Sequence, residues 1–124
     1  PRLGTQVRFA GPPELMPDEL EAVSVDEAIA GADVVMMLRV QRERLDRELG
    51  DLPGEYLERF GLTRERLNRA APGAVVMHPG PINRGVEIAD TVADGARSVI
   101  LEQVNNGVAA RMAVLEMLME NRKQ

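Results

Sequence analysis

Cysteine is absent from this sequence, which excludes a disulfide framework and thiol catalysis alike. Aromatic residues make up only 2% of the chain and the net charge is −5. Nucleic-acid binding normally needs the opposite, a basic stripe with stacking rings, so no nucleic-acid partner is expected. No apolar run nears the ~20 residues of a membrane helix, and the N-terminus lacks the pattern of a signal peptide. No membrane partner is expected, and a cytoplasmic location fits. Histidine occurs once, at His78, and the acidic residues are not clustered at ligand spacing, so neither a metal nor another cofactor is expected. Lysine is nearly missing: of 15 basic residues only Lys123 is not arginine.

What is present suits one globular domain. The chain has 124 residues, 44% hydrophobic and 28% charged, enough to bury a core. Val7–Ala10 reads as a short strand stopped by Gly11-Pro12-Pro13, and Pro17–Glu21 as a helical turn with proline at its first position. Ser24 with Glu27 has the spacing of a capping box, and Gly31 closes that helix. Ala32–Leu38 is, after Asp33, a continuous apolar run, the pattern of a strand covered on both faces. A highly charged excursion follows from Arg42 to Gly54. Glu55–Phe60 reads as a helical turn, Thr63 caps a helix over Arg64–Ala70, and Ala74–Met77 is the next strand. The stretch to Gly95 reads as irregular. From Val99 apolar residues recur at helical spacing to Met119, interrupted at Asn105-Asn106-Gly107, which predicts two helices or one kinked helix. Alternating strands and helices predict an α/β fold with a parallel sheet and crossover helices, Rossmann-like and three-layered, ending in a long C-terminal helix. Three strands make a thin sheet, so an incomplete piece of a larger molecule is expected.

In open parallel sheets ligands bind at the carboxyl ends of strands. One predicted strand ends in Leu38-Arg39-Val40-Gln41, the other in His78-Pro79-Gly80-Pro81. If the strands are neighbours, Arg39, Gln41 and His78 converge. Arg39 could grip a carboxylate bidentately with Gln41 beside it, or it could pair with Glu43 at the surface. Pro79 and Pro81 carry no N–H, so this backbone offers acceptors and few donors, and one X–Pro bond could be cis. That row of carbonyls suits a ligand with N–H groups; a plain strand-ending turn is the other reading. His78 could titrate near neutrality or serve as a structural hydrogen-bonder.

Three ordered stretches carry a more specific signal: Met37-Leu38-Arg39-Val40-Gln41-Arg42-Glu43-Arg44, then His78-Pro79-Gly80-Pro81-Ile82-Asn83-Arg84-Gly85-Val86-Glu87-Ile88, then Glu102-Gln103-Val104-Asn105-Asn106-Gly107-Val108-Ala109-Ala110-Arg111-Met112. Together they resemble the aspartate carbamoyltransferases, in the C-terminal, aspartate-binding part of the catalytic chain. The resemblance implies that residues 1–107 form most of that domain. It implies that the helix of residues 108–124 packs on an N-terminal carbamoyl-phosphate domain elsewhere in the enzyme. Arg39 and Gln41 match the aspartate-binding pair, and the Pro79 and Gly80 carbonyls match those that hold the carbamoyl NH₂. The bond matching Gly80–Pro81 is cis in the family. Glu43 and Arg44 match residues that orient the arginine and help close the domains, and Arg84 and Glu87 lie where the family has closure contacts. The phosphate-gripping and catalytic residues of the family have no counterpart here, so no catalytic residue is expected within these 124 positions. The implied partners are L-aspartate, carbamoyl phosphate, the N-terminal domain and a homotrimer of full-length chains, with or without regulatory or dihydroorotase-like subunits. A non-catalytic α/β regulatory or interaction module built on the same fold is the alternative.

Overall fold

The structure is a computed structural model, and it describes residues 4–40 and 54–121. A 3₁₀ turn, Pro13–Leu15, precedes α1 (Val25–Ile29) and β1 (Val34–Met36). Next come α2 (Glu55–Phe60), α3 (Arg64–Leu67), β2 (Val75–Met77), α4 (Asp90–Ala93) and the long α5 (Ile100–Asn121). The fold is α/β with a parallel sheet: β1 and β2 pair in parallel, Val35 against Val76.

Local chemistry explains the starts of α1 and α3. The Ser24 hydroxyl accepts from the Glu27 N–H at 3.3 Å, and Glu27 Oε2 accepts from the Ser24 N–H at 3.0 Å, completing the capping box. Thr63 caps α3 by accepting from the Arg66 N–H. Helix ends are closed by arginines from elsewhere. Arg8 donates to the Glu27 and Ala30 carbonyls at the end of α1. Arg66 fans over the end of α2, reaching the carbonyls of Leu57, Glu58, Arg59 and Gly61 while also contacting Asp26. Each satisfies carbonyls that a helix terminus leaves without partners. At Gly61 a side chain would be refused, because a Cβ would stand 2.7 Å from the Leu57 Cα.

Several expectations need correction. Val7–Ala10 is not a sheet strand. Phe9 makes a single bridge to Ala22, and the far side of β2 is taken instead by the approach to α5, with Val76 donating to the Arg97 carbonyl and accepting from the Val99 N–H. The turn expected at Pro17 is present as a single turn, the Leu20 N–H donating to the Pro17 carbonyl at 3.0 Å, and a 3₁₀ turn at Pro13–Leu15, where Pro13 fixes φ at its first position, precedes it. The stretch before Gly95 contains α4, which no side chain caps at Ala89. The C-terminal helix runs through Asn105-Asn106-Gly107 without a break; the cost of one glycine, about 1 kcal/mol, is offset by the strong helix formers that follow.

Val35, Val76, Leu62, Ile88, Val92 and Ile100 form the centre of the core. Here α1 packs on α3, α3 on α4, and α5 on β2. Only one face of β1 is covered. Val34 and Met36 are each 51% exposed and Leu38 is exposed too, which corrects the expectation of a strand buried on both sides. Along α5 the apolar residues Val108, Met112, Leu115 and Met119 face solvent, as do Leu101, Val114, Met117 and Leu118. None of the described helices is long and apolar enough to cross a membrane.

Candidate functional site

Because β1 and β2 are neighbours, their carboxyl ends lie side by side, as the sequence reading required. The ladder continues one step past the strands, with the Met37 N–H donating to the Met77 carbonyl at 2.9 Å. Beyond it the chains diverge into Arg39-Val40 on one side and His78–Pro81 on the other. Arg39 is exposed and Val40 is buried. Gln41, Glu43 and Arg44 lie outside the described residues.

Backbone and side chains hold the second strand end from beneath. His78 is fully buried. Its N–H donates to Gln103 Oε1 of α5 at 2.8 Å, and its Nδ1 accepts from the Gly80 N–H at 2.9 Å. An accepting Nδ1 places the neutral imidazole's proton on Nε2, which faces Glu87 Oε1 at 3.3 Å. The Gly80–Pro81 bond is cis, and Gly80 has φ +68°, a conformation that favours glycine. With the Gly80 N–H turned inward, no hydrogen bond from the described residues ends on the carbonyls of Pro79 or Gly80. This leaves a short row of acceptors at the sheet edge.

Glu87, expected as a closure contact, is buried instead of facing outward. Its Oε1 accepts from the Asn83 N–H at 2.5 Å, while Oε2 has no hydrogen-bond partner among the described residues. The Asn83 side chain spans the gap between the strand ends, Nδ2 donating to the Val40 carbonyl at 3.0 Å. Arg84 is exposed and held by α4, with Nη1 2.7 Å and Nη2 2.8 Å from the two carboxylate oxygens of Asp94 and Asp90 at 3.2 Å. Bonds to Asp94 and then Asp90 hold the Arg84 guanidinium above its ordinary value, and Arg84 in turn holds the Asp94 carboxyl low.

Sequence reasoning missed Asn83, Gln103 and the His78–Glu87 pair as parts of the site. For Gln103 a signal existed: an amide interrupts the apolar spacing of α5. For the other two nothing local distinguishes them until the loop folds back.

Burial pushes the His78 imidazole below its ordinary 6.5, against the opposing pull of the Glu87 carboxylate. A histidine depressed in the folded state favours folding in its neutral form. Its contribution is therefore present above pH ~6.5 and is lost as pH falls from there through the folded value. Thermal midpoints should drop between pH 8 and pH 5, more steeply for the native chain than for His78→Asn. Parallel curves for the two proteins would remove His78 as the cause. Burial also pushes the Tyr56 phenol up, with the Glu87 carboxylate adding to the shift.

The arrangement is open. A groove of about 460 Å³ lies on the α4–α5 side, lined by Ile82, Arg84, Asp94, Ser98 and their neighbours, but not by Arg39, Pro79 or Gly80. Among the described residues no three His, Cys, Asp or Glu side chains come together as a metal site would need. The site can grip an anion through Arg39 and accept N–H donors along Pro79–Gly80.

Comparison with known proteins gives the family. The family model described as aspartate/ornithine carbamoyltransferase, Asp/Orn binding domain, matches residues 1–118. The aspartate carbamoyltransferase catalytic subunit of Pelotomaculum thermopropionicum is 57% identical over 125 residues, covering 94% of this chain and 40% of that protein. The corresponding subunit of Myxococcus xanthus is 56% identical over 120 residues, covering 92% and 40%. Among solved structures, the ornithine carbamoyltransferase of Thermus thermophilus superposes with a TM-score of 0.75 at 26% identity, covering 91% of this chain and 39% of that one. Aspartate transcarbamoylase from Trypanosoma cruzi, in complex with phosphate, gives 0.58 at 30%, covering 73% and 27%. This chain thus spans about 40% of the length of the curated relatives it matches. With adjacent parallel strand ends, an arginine on one and a carbonyl row on the other, the chain belongs to the aspartate/ornithine carbamoyltransferase family, in its Asp/Orn-binding domain.

Proposed function

We propose that this chain is the aspartate-binding part of an aspartate carbamoyltransferase, which makes N-carbamoyl-L-aspartate and phosphate in pyrimidine synthesis. The observation that supports the reading is the parallel pairing of β1 and β2, with Arg39 following the end of one strand and the Pro79–Gly80 segment the end of the other. Arg39, with Gln41, takes the aspartate carboxylates, and the carbonyls hold the carbamoyl NH₂. In the transfer the aspartate nitrogen bonds to the carbamoyl carbon, the C–O bond to phosphate breaks with its electron pair leaving on phosphate, and the amine proton is released. This domain contributes orientation and electrostatics, worth several orders of magnitude in such reactions. Phosphate capture and proton transfer belong to the carbamoyl-phosphate domain. Glu43 and Arg44 steady the arginine, and Arg84 moves from Asp94 to a partner across the cleft when the domains close. The helix of residues 108–124, whose Val108, Met112, Leu115 and Met119 are exposed, packs on the carbamoyl-phosphate domain. The working enzyme is a cytoplasmic homotrimer of full-length chains, with or without further subunits. The curated relatives are named catalytic subunits, which favours this reading over a regulatory module.

In the complete enzyme Arg39→Ala should lower kcat/KM for aspartate by about 2–3 kcal/mol, or roughly 30- to 150-fold, the worth of a charge-assisted bidentate contact. Carbamoyl phosphate binding should stay as it was. An unaltered aspartate dependence in steady-state assays would refute the assignment.

A further inference from the structure

We propose that Asn83 is a positioning residue that sets the spacing between Arg39 and the Pro79–Gly80 carbonyls. The inference rests on the aspartate carbamoyltransferase reading above and names a determinant of aspartate affinity within that site. The sheet can align the two strand ends only as far as its hydrogen bonds reach, and these stop at Met37 and Met77. Arg39 stands two residues beyond that last rung, and Leu38 between them is exposed. Past the rung, Asn83 takes over the alignment. Its main-chain N–H is anchored on Glu87 Oε1 at 2.5 Å, and its side-chain Nδ2 donates to the carbonyl of Val40, directly after Arg39, at 3.0 Å.

Both anchors are buried. Val40 is 5% and Glu87 1% exposed, so neither can follow solvent, and the Val40 carbonyl would lose its partner in a buried setting if the amide were removed. On the other side of the loop, His78 Nδ1 fixes the Gly80 N–H at 2.9 Å, and the His78 imidazole lies against the same Glu87 carboxylate at 3.3 Å. The buried Glu87 carboxylate therefore anchors the Arg39 arm through its hydrogen bond with Asn83, and it packs against the His78 ring, whose Nε2 makes no hydrogen bond among the described residues. The chemistry of the bridge is also directional. A carbonyl only accepts, so the residue at position 83 must present a donor, and an aspartate of the same shape would set oxygen against oxygen.

That directionality supplies the test. In the complete enzyme, Asn83→Asp and Asn83→Ala should raise KM for aspartate about tenfold, the effect of one lost hydrogen bond that leaves a buried acceptor unpaired. The aspartate variant should be at least as impaired as the alanine one. The dissociation constant for carbamoyl phosphate, measured by direct binding, should remain within twofold. Wild-type kinetics in Asn83→Asp would overturn the proposal, as would equal losses for both substrates, which describe general loosening. Failure of both variants to fold would also overturn it, by assigning Asn83 to the fold alone. Arg39→Ala run alongside separates the two ideas. If it raises the aspartate KM while Asn83→Asp does not, the positioning role fails and the site reading stands. If the wild-type enzyme carbamoylates no aspartate, the reading fails and takes the positioning role with it.

Discussion

Replacing Arg66 by alanine should cost about 3 kcal/mol of folding stability, the worth of two or three well-made charge-assisted hydrogen bonds. In a chain of this size that corresponds to a fall of roughly 10 °C in thermal midpoint. The side chain is only 16% exposed. Its Nη1 donates to the Gly61 carbonyl at 2.7 Å and the Leu57 carbonyl at 3.2 Å, and its Nη2 to Glu58 at 2.8 Å and Arg59 at 3.1 Å. The Leu57 carbonyl also accepts from the Gly61 N–H, but the others are carbonyls the end of α2 leaves without a helical partner, and Gly61 is buried, so water cannot replace the guanidinium there. Nε adds Asp26 of α1 at 3.3 Å, which ties two helices to the start of α3. Arg66→Lys keeps the charge but offers one compact ammonium where five donors were used, and should recover less than half of the loss. Thermal melts followed by circular dichroism decide it. A drop of under 3 °C for Arg66→Ala would show that the fan contributes little.

A second large effect is expected beneath the loop. Ile88 is fully buried and its backbone is stitched to the chain after α2, with Leu62 donating to the Glu87 carbonyl and Ala89 donating to the Leu62 carbonyl. Because the backbone on both sides is held, the cavity left by Ile88→Ala cannot collapse, and the loss should be about 3–4 kcal/mol. Ile88→Val removes one methylene and should cost only about 1 kcal/mol. Urea unfolding at constant m-value is the measurement. A difference under 1 kcal/mol between the alanine variant and the native chain would mean that this part of the core repacks freely.

The contrast between Ser24 and Arg66 shows what could be read in advance. Ser24 and Glu27 are three residues apart, and their reciprocal bonds depend on that spacing alone, so the start of α1 was legible. So were Thr63 and the apolar runs of β1 and β2. Arg66 is one arginine among several on a charged segment; its five acceptors come together only after α1, α2 and α3 have packed. The misread strand at Val7–Ala10 failed for a related reason. Alternation says that a segment can pair but not which edge is vacant, and the open edge of β2 goes to Arg97–Val99. At the site, the placement of Arg39 and of Pro79–Gly80 just past neighbouring strand ends was legible from the sequence, while the substrate roles given to them come from the resemblance. The inward turn of Glu87 was not, since a carboxylate nine positions after His78 looks like any surface acid until the intervening loop closes.

One consequence concerns the order of folding. The ladder joins Val34 to Val75 and Met36 to Met77, partners roughly forty positions apart. None of its hydrogen bonds can form until that length of chain has closed on itself, whereas the caps of α1 and α3 need only neighbours. The helices should therefore be present, at least transiently, before the sheet, and the docking of β1 on β2 should limit the rate. Closure entropy rises only with the logarithm of the length, so doubling the connection would cost only about 0.6 kcal/mol more. Length alone in that connection thus costs little closure entropy; what fixes its second half is the packing of Leu62 and Leu67 in the core.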